Sequence, residues 1–307
     1  MRIYNSIAEL IGDTPLLRLN RVIKDCWAEV VAKLEFFNPM SIKDRPAYWM
    51  IEKAEEEGRI RKDTTIIEAS SGNMGIALAY ICAIKGYRLI LVMSEIQSIE
   101  RRRILKAFGA ELVLTPASLG TKGAREKALE LSREIPNSFY ICQHDNPANV
   151  EAHRRTTGKE LWEDTEGKID ILVAGLGTTG TLMGVAKAIK PRKPEFRTVG
   201  VEPASAPMIS QGKFSPHRMM GVSPGFIPGI LERDLLDEVF LVEEDDAFQM
   251  CRALAREEGV LVGITSGACA FAAVQLARRP ENRGKLIVCI FADTGERYLS
   301  VEGLFGE

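Results

Sequence analysis

Apolar, β-branched runs alternate with amphipathic, helix-like segments along almost the whole chain, and that alternation limits the fold more than any other feature. EVVAKLE (29–35) predicts a strand, and KDRPAYWMIEKAEEEG (43–58) predicts a helix closed by Gly58. TTIIEAS (64–70) predicts a strand and GIALAYICAIKG (75–86) a helix closed by Gly86. RLILVMS (88–94) and ELVLTP (111–116) read as strands flanking the helical SIERRRILKAFG. The order recurs with DILVAG, GTLMGVAKAIK and RTVGVEP, then a helix over about 245–258, the helix SGACAFAAVQLARR and the strand KLIVCIFA. Continuous apolar strands between helices bury both faces of a sheet. The expected fold class is α/β, built as two doubly wound domains with mostly parallel sheets, clustered near 35–145 and 150–300.

At 307 residues the chain is long enough for two ordinary domains. Its 40 basic and 42 acidic side chains leave a net charge of −2, which gives no electrostatic case for nucleic acid or an anionic membrane. The short clusters Arg101–Arg102–Arg103 and Arg278–Arg279 read as solvated helix faces. The N-terminus, MRIYNSIAELIGDTPLLRL, lacks a signal-peptide pattern, and no apolar stretch reaches the roughly 18 residues of a spanning helix. Six cysteines (Cys26, Cys82, Cys142, Cys251, Cys269, Cys289) stand singly, which argues against a zinc ribbon or a disulfide framework. His144, His153 and His217 are too dispersed for a metal site, so no metal is expected. The cytoplasm is the natural compartment.

In open α/β sheets, ligands sit beyond the carboxyl ends of the strands. Four such turns here carry unusual chemistry: IIEASSGNMG (66–75), ILVAGLGTTGT (171–181), VLVGITSGA (260–268) and IFADTGERYLS (290–300). The second presents a nest of N–H groups suited to a phosphate. A fifth feature, NPMSIKDRPA (38–47), places Lys43 at a helix start in a polar turn. A lysine among strand-end loops suits Schiff-base chemistry, provided its surroundings lower its pKa.

Taken in order, S-I-K-D-R, S-S-G-N-M-G, G-T-T-G-T, G-I-T-S-G-A and D-T-G-E-R-Y-L-S closely resemble the cysteine synthase (O-acetylserine sulfhydrylase) family, a branch of the fold-type II pyridoxal-phosphate enzymes with tryptophan synthase β-like architecture. IGDTPLLRL (11–19), GAELVLTP (109–116), NPAN (146–149) and GFIPGIL (225–231) extend the resemblance over nearly the whole chain. It implies pyridoxal 5′-phosphate as cofactor, held by Lys43 as an internal aldimine. Gly177, Thr178, Thr179, Gly180 and Thr181 would cradle its phosphate at a helix N-terminus. Ser266 would hydrogen-bond the pyridine nitrogen, and Asn73 the 3′-oxygen. Ser70, Ser71, Gly72 and Met74, with Gln143, would grip the substrate carboxylate. Gly221, within HRMMGVSPGFIP (217–228), would border the substrate's side chain.

The implied reaction is a transferase β-replacement that begins as a lyase-like β-elimination. Lys43 removes the α-proton, acetate leaves O-acetyl-L-serine to give an α-aminoacrylate, and sulfide adds to yield L-cysteine. The resemblance further implies a smaller mobile domain, 38–147, closing on the carboxylate, and a larger one, 1–37 plus 148–307, holding the phosphate. A homodimer, and the docking of a serine acetyltransferase tail seen in some relatives, are implied in the same way.

The chain also departs from the family pattern. S-S-G-N-M-G replaces the common T-S-G-N-T-G, so Met74 brings no hydroxyl and its contact rests on the backbone N–H. N-P-M-S is one residue shorter than N-P-x-x-S, so the turn before Lys43 must differ. G-T-T-G-T is similar to the B branch and H-R-M-M-G-V-S-P-G-F-I-P to the A branch, which leaves the branch open.

Three alternatives compete. The same fold could use O-phosphoserine, or another nucleophile such as thiosulfate, homocysteine or an amine; a phosphorylated donor would want a cation, for which Arg218 is the candidate. An NAD-dependent dehydrogenase would use Gly175, Gly177 and Gly180, with Glu202, about twenty residues on, as the ribose acid. That leaves Lys43 and three other turns unexplained, and Glu202 otherwise reads as a strand-end surface residue. A non-catalytic homologue is disfavoured by the intact Lys43, Asn73 and Ser266, and Cys269 reads as a packed small residue rather than a redox group.

Overall fold

The computed structural model describes residues 3–70, 72–95 and 99–306. The strands are β1 (Leu16–Arg18), β2 (Glu29–Leu34), β3 (Thr65–Ala69), β4 (Arg88–Ser94), β5 (Glu111–Thr115), β6 (Ser138–Tyr140), β7 (Ile169–Gly175), β8 (Arg197–Pro203), β9 (Glu238–Val242) and β10 (Leu286–Phe291). The helices are α1 (Asp44–Glu56), α2 (Asn73–Lys85), α3 (Ile99–Ala107), α4 (Gly120–Glu134), α5 (Pro147–Arg155), α6 (Thr157–Asp164), α7 (Gly180–Ile189), α8 (Met208–Gln211), α9 (Glu244–Ala253) and α10 (Ile264–Ala277).

The strands form two sheets. One is parallel throughout, in the order β5-β4-β3-β6, and the other runs β1-β2-β10-β7-β8-β9 with only β1 antiparallel. Both sheets are covered on both faces, as their apolar sequences require. On β7, Ile171 and Val173 face the core under α9 and α10, while Leu172 and Ala174 face the core under α6 and α7. On β4, Leu89, Leu91 and Met93 join one core of the smaller sheet, and Ile90 and Val92 join the other.

Helix ends follow local chemistry. Gly86 caps α2 at φ 79° and donates to Cys82 O at 2.8 Å. α1 closes in a Schellman turn: Gly58 (φ 67°) donates to Glu55 O, and Arg59 to Ala54 O. Three expectations needed adjustment. β1, β6 and β9 are too short or too mixed to announce themselves. The segment after α9 continues as a wide π-type turn, Leu254–Glu258, rather than as α-helix. α2 starts two residues early, at Asn73, with Gly72 as its N-cap, so Asn73 and Met74 lie in its first turn.

Candidate functional site

The carboxyl ends of β3, β7 and β10, with the turn before α10, converge on the segment carrying Lys43. Ile42 donates to Ala292 O at 2.9 Å, pinning that segment to the end of β10. Lys43 is the N-cap of α1 and half-buried, its N–H donating to Ser41 Oγ at 3.2 Å. Removal from water lowers its ammonium to about 8, and the Asp293 carboxylate works against that shift. The short N-P-M-S turn is closed from the following helix: Met40 and Ser41 both donate their N–H to Asp44 Oδ2, at 2.6 and 3.2 Å.

Asp293, 1% exposed, joins this segment to α2. Its Oδ2 accepts from Asn73 Nδ2 at 2.7 Å and from the Tyr298 hydroxyl at 2.5 Å. Arg297 donates to Asn73 Oδ1 and, at 2.7 Å, to Met40 O. Asn73 is thus already oriented by two partners before any ligand is considered.

The glycine turn ending β7 is built for close approach. A Cβ on Gly177 would lie 2.2 Å from Gly221 O, and one on Gly180 would lie 2.1 Å from Asn149 Oδ1. Thr179 caps α7 at φ 70°, a left-handed backbone that a β-branched residue adopts only under strain. Thr178, Thr179 and Thr181 are all buried, and Thr179 Oγ1 has no hydrogen-bond partner among the described residues. The first-turn amides of α7 lack intrahelical acceptors by geometry. Of these, Gly180 N donates weakly to Thr178 Oγ1, at 3.3 Å. A buried unpartnered hydroxyl at a positive helix end fits a phosphate monoester.

Ser266 is fully buried in the first turn of α10, and its Oγ accepts from Ala292 N at 2.9 Å. Its hydroxyl proton is therefore left to donate, which fits an unprotonated ring nitrogen.

The expected carboxylate grip is divided. Ser70 Oγ accepts from Gly75 N at 3.1 Å and Gly72 N at 3.4 Å, closing its own turn. Met74 is 2% exposed and packs in the core of the smaller sheet, so only its amide can reach a ligand. Gln143 is buried, its N–H bound to Glu68 and its carbonyl to Asn149. Gly221, at φ 100°, packs on the glycine turn. Ser71 lies outside the described residues.

The structure corrects the reading of Glu202. Rather than lying at the surface, it is fully buried, accepting from Ile209 N at 2.6 Å and from Ser210 N and Oγ at 3.1 and 2.8 Å. A carboxylate committed to capping α8 is not offered to a ribose, and the dinucleotide alternative loses its acid.

Neither histidine near the site is singled out for a role by its sequence context. His153 is fully buried and bridges Thr157 Oγ1 at 2.9 Å and Thr181 Oγ1 at 3.3 Å; burial, with the charges of Lys43 and Arg45, keeps it neutral. His144, stacked edge-on against Phe226, is lowered to about 3 by burial and by Arg125 and Lys43. Cys269 is fully buried, and burial pushes its thiol up to about 12, which makes it inert packing.

A lysine lowered to about 8, an unpartnered hydroxyl at a positive helix end and a serine with a proton left to donate, on two doubly wound sheets, are what a fold-type II pyridoxal-phosphate enzyme requires. The family model for pyridoxal-phosphate dependent enzymes matches residues 7–293. A cysteine synthase of Staphylococcus aureus is 48% identical over 298 residues, covering 96% of each chain. Among solved structures, the cysteine synthase of Entamoeba histolytica superposes with a TM-score of 0.95 at 40% identity, covering 98% of this chain and 91% of that one. An O-ureido-L-serine synthase superposes with a TM-score of 0.94 at 42% identity, covering 98% and 95%. The chain belongs to the cysteine synthase family of pyridoxal-phosphate-dependent enzymes.

Proposed function

We propose that this chain makes L-cysteine from O-acetyl-L-serine and sulfide, with Lys43 as the carbonyl-reactive amine and the proton carrier. The observation that carries this is Lys43 itself, an amine lowered to about 8 whose charge reaches His153, the histidine bonded to Thr181 of the phosphate cradle. When bound, pyridoxal phosphate supplies the electron sink. Gly177 to Thr181 would hold its phosphate, Ser266 would donate to its ring nitrogen, and Asn73, held by Asp293 and Arg297, would meet its 3′-oxygen. The Ser70–Met74 turn and Gln143 would hold the donor's carboxylate, aligning the α-C–H bond with Lys43. Lys43 Nζ takes that proton as acetate departs, holds it, and returns it after sulfide adds.

The segment 38–147 is the part we expect to close over the donor. Arg218, the candidate cation for a phosphorylated donor, is engaged elsewhere: its Nε donates to Glu244 Oε1 at 2.5 Å and its NH1 to Glu302 O at 2.9 Å. That favours the acetyl ester over the phosphate. All six cysteines are free thiols, in keeping with a cytoplasmic enzyme, and a homodimer is the expected assembly.

The test is turnover by holoenzyme supplied separately with O-acetylserine and O-phosphoserine, each with sulfide, with cysteine as the measured product. Cysteine from O-acetylserine alone is the expected result. Turnover of O-phosphoserine alone would overturn the donor assignment, and no cysteine from either donor would overturn the reaction.

A further inference from the structure

β3 and β6 run parallel and pair from Thr65–Ser138 to Ile67–Tyr140. The last ladder bond is Ile141 N to Ile67 O, at 3.0 Å. Beyond it the two chains fork. Cys142 turns into the left-handed region, at φ 53°, and the ladder does not resume. Across the fork stands Glu68, on β3 and 1% exposed. Its Oε1 accepts from Ala69 N at 2.8 Å and its Oε2 from Gln143 N at 3.2 Å. On the far side of Gln143, Asn149 Nδ2 donates to its carbonyl at 2.9 Å, and Asn149 in turn abuts Gly180 of the phosphate cradle.

A carboxyl group in the middle of a strand, between Ile67 and Ala69, is costly to bury without partners. Burial pushes it up to about 8, and the amides of Gln143 and Ala69 pull the other way. Paired strands run about 4.8 Å apart, and had the ladder continued no ligand could enter between them. A side-chain carboxyl group spanning the two backbones, protonated at neutral pH with both oxygens still accepting, satisfies the freed Gln143 amide and fixes the gap. The gap opens between Ala69, which leads into the Ser70–Met74 turn, and Gln143.

We propose that Glu68 is a positioning residue for the donor's carboxylate, holding the Ser70–Met74 turn and Gln143 apart at the spacing that the carboxylate fills. The inference rests on the reading that this turn and Gln143 grip that carboxylate. Glu68 never touches the donor; it sets the geometry of the two arms that do.

The test uses Glu68→Gln holoenzyme. Glutamine keeps the size but presents an NH2 where one amide must be accepted, so one arm loses its tie. The KM for O-acetylserine should rise by up to about tenfold, the upper end for one neutral hydrogen bond. The kcat at saturating donor, the KM for sulfide and the visible absorbance of the resting holoenzyme should stay near wild type. Binding of the α-carboxamide of O-acetylserine, followed by the change in visible absorbance, should be equal in the two proteins. Equal weakening toward acid and amide, or a fall in kcat with an unchanged donor KM, would overturn the role. Wild-type enzyme that binds the amide as tightly as the acid would overturn the carboxylate grip itself, and Glu68's role with it. If the glutamine variant fails to fold, Glu68→Asp decides between the same outcomes. Aspartate keeps the carboxyl group but is one methylene too short to span both amides, and it should raise the donor KM alone.

Discussion

Arg45 Nε donates to Glu35 Oε2 at 2.7 Å, with both side chains at 0% exposure. This pair lies two residues past Lys43 and anchors the start of α1 to the end of β2. Thr14 and Asn38 donate to the same carboxylate, at 2.7 and 3.0 Å, and Arg45 also reaches both oxygens of Glu160. Burial works to lower the Arg45 pKa, but the two carboxylates hold it above its ordinary value.

Removing Glu35 leaves the buried Arg45 to the Glu160 carboxylate and strips the Thr14 and Asn38 donors of their acceptor. Glu35→Ala should therefore cost about 3–5 kcal/mol in urea unfolding. Arg45→Lys should fail to rescue the network, because a point charge cannot reproduce the bidentate fork. An exposed pair such as Arg88–Glu111, deleted as a control, should cost under about 1 kcal/mol.

Glu160, its side chain 12% exposed, is raised by burial but held down by Arg45 and Lys33, for a net value of about 2 against the usual 4.5. Its contribution is complete above pH 4.5 and is lost as pH falls through about 2, on the order of 3 kcal/mol in all. Unfolding free energies measured down that range should fall less steeply in Glu160→Gln than in wild type.

Imine formation needs the neutral amine. The rate at which apoprotein captures pyridoxal phosphate should rise through pH 8 and level off above it, since Lys43 is lowered to about 8 from 10.5. A stopped-flow midpoint close to 10.5 would mean that burial does not act on this lysine. Lys43→Ala should show no capture at any pH.

The glycine turn separates steric need from mere flexibility. Gly177→Ala drives a methyl group to 2.2 Å from the Gly221 carbonyl, and Gly180→Ala drives one to 2.1 Å from Asn149. Both should weaken cofactor affinity at least about tenfold, the scale of one lost phosphate hydrogen bond. Gly72 has nothing within 4 Å of its Cβ direction, and Gly72→Ala should leave cofactor affinity unchanged in equilibrium dialysis.

Placing at position 74 the threonine that the family pattern implies should not help. Met74 packs against the small-sheet core, and Met74→Thr removes buried volume while adding a hydroxyl there. A loss of about 2–4 kcal/mol is expected in thermal unfolding, with the donor KM unchanged.

What the sequence determined by itself was everything encoded locally. The 2.0 and 3.6 periodicities marked most strands and helices, Gly58 and Gly86 marked helix ends, and the ordered motifs marked the family. These are short-range facts, because a glycine's positive φ or a helix's apolar face is set by its immediate neighbours. Only the tertiary structure decided what each charge and each large side chain does. Glu202 looked like a surface acid and caps a helix in the interior; Glu68 sits inside an apolar strand and bridges a fork; Arg45 is locked to Glu35 and Glu160, the latter 115 residues away. Asn73 owes its orientation to Asp293, 220 residues on. A charge is buried or solvated according to which distant partner the fold brings to it, and no local pattern carries that information.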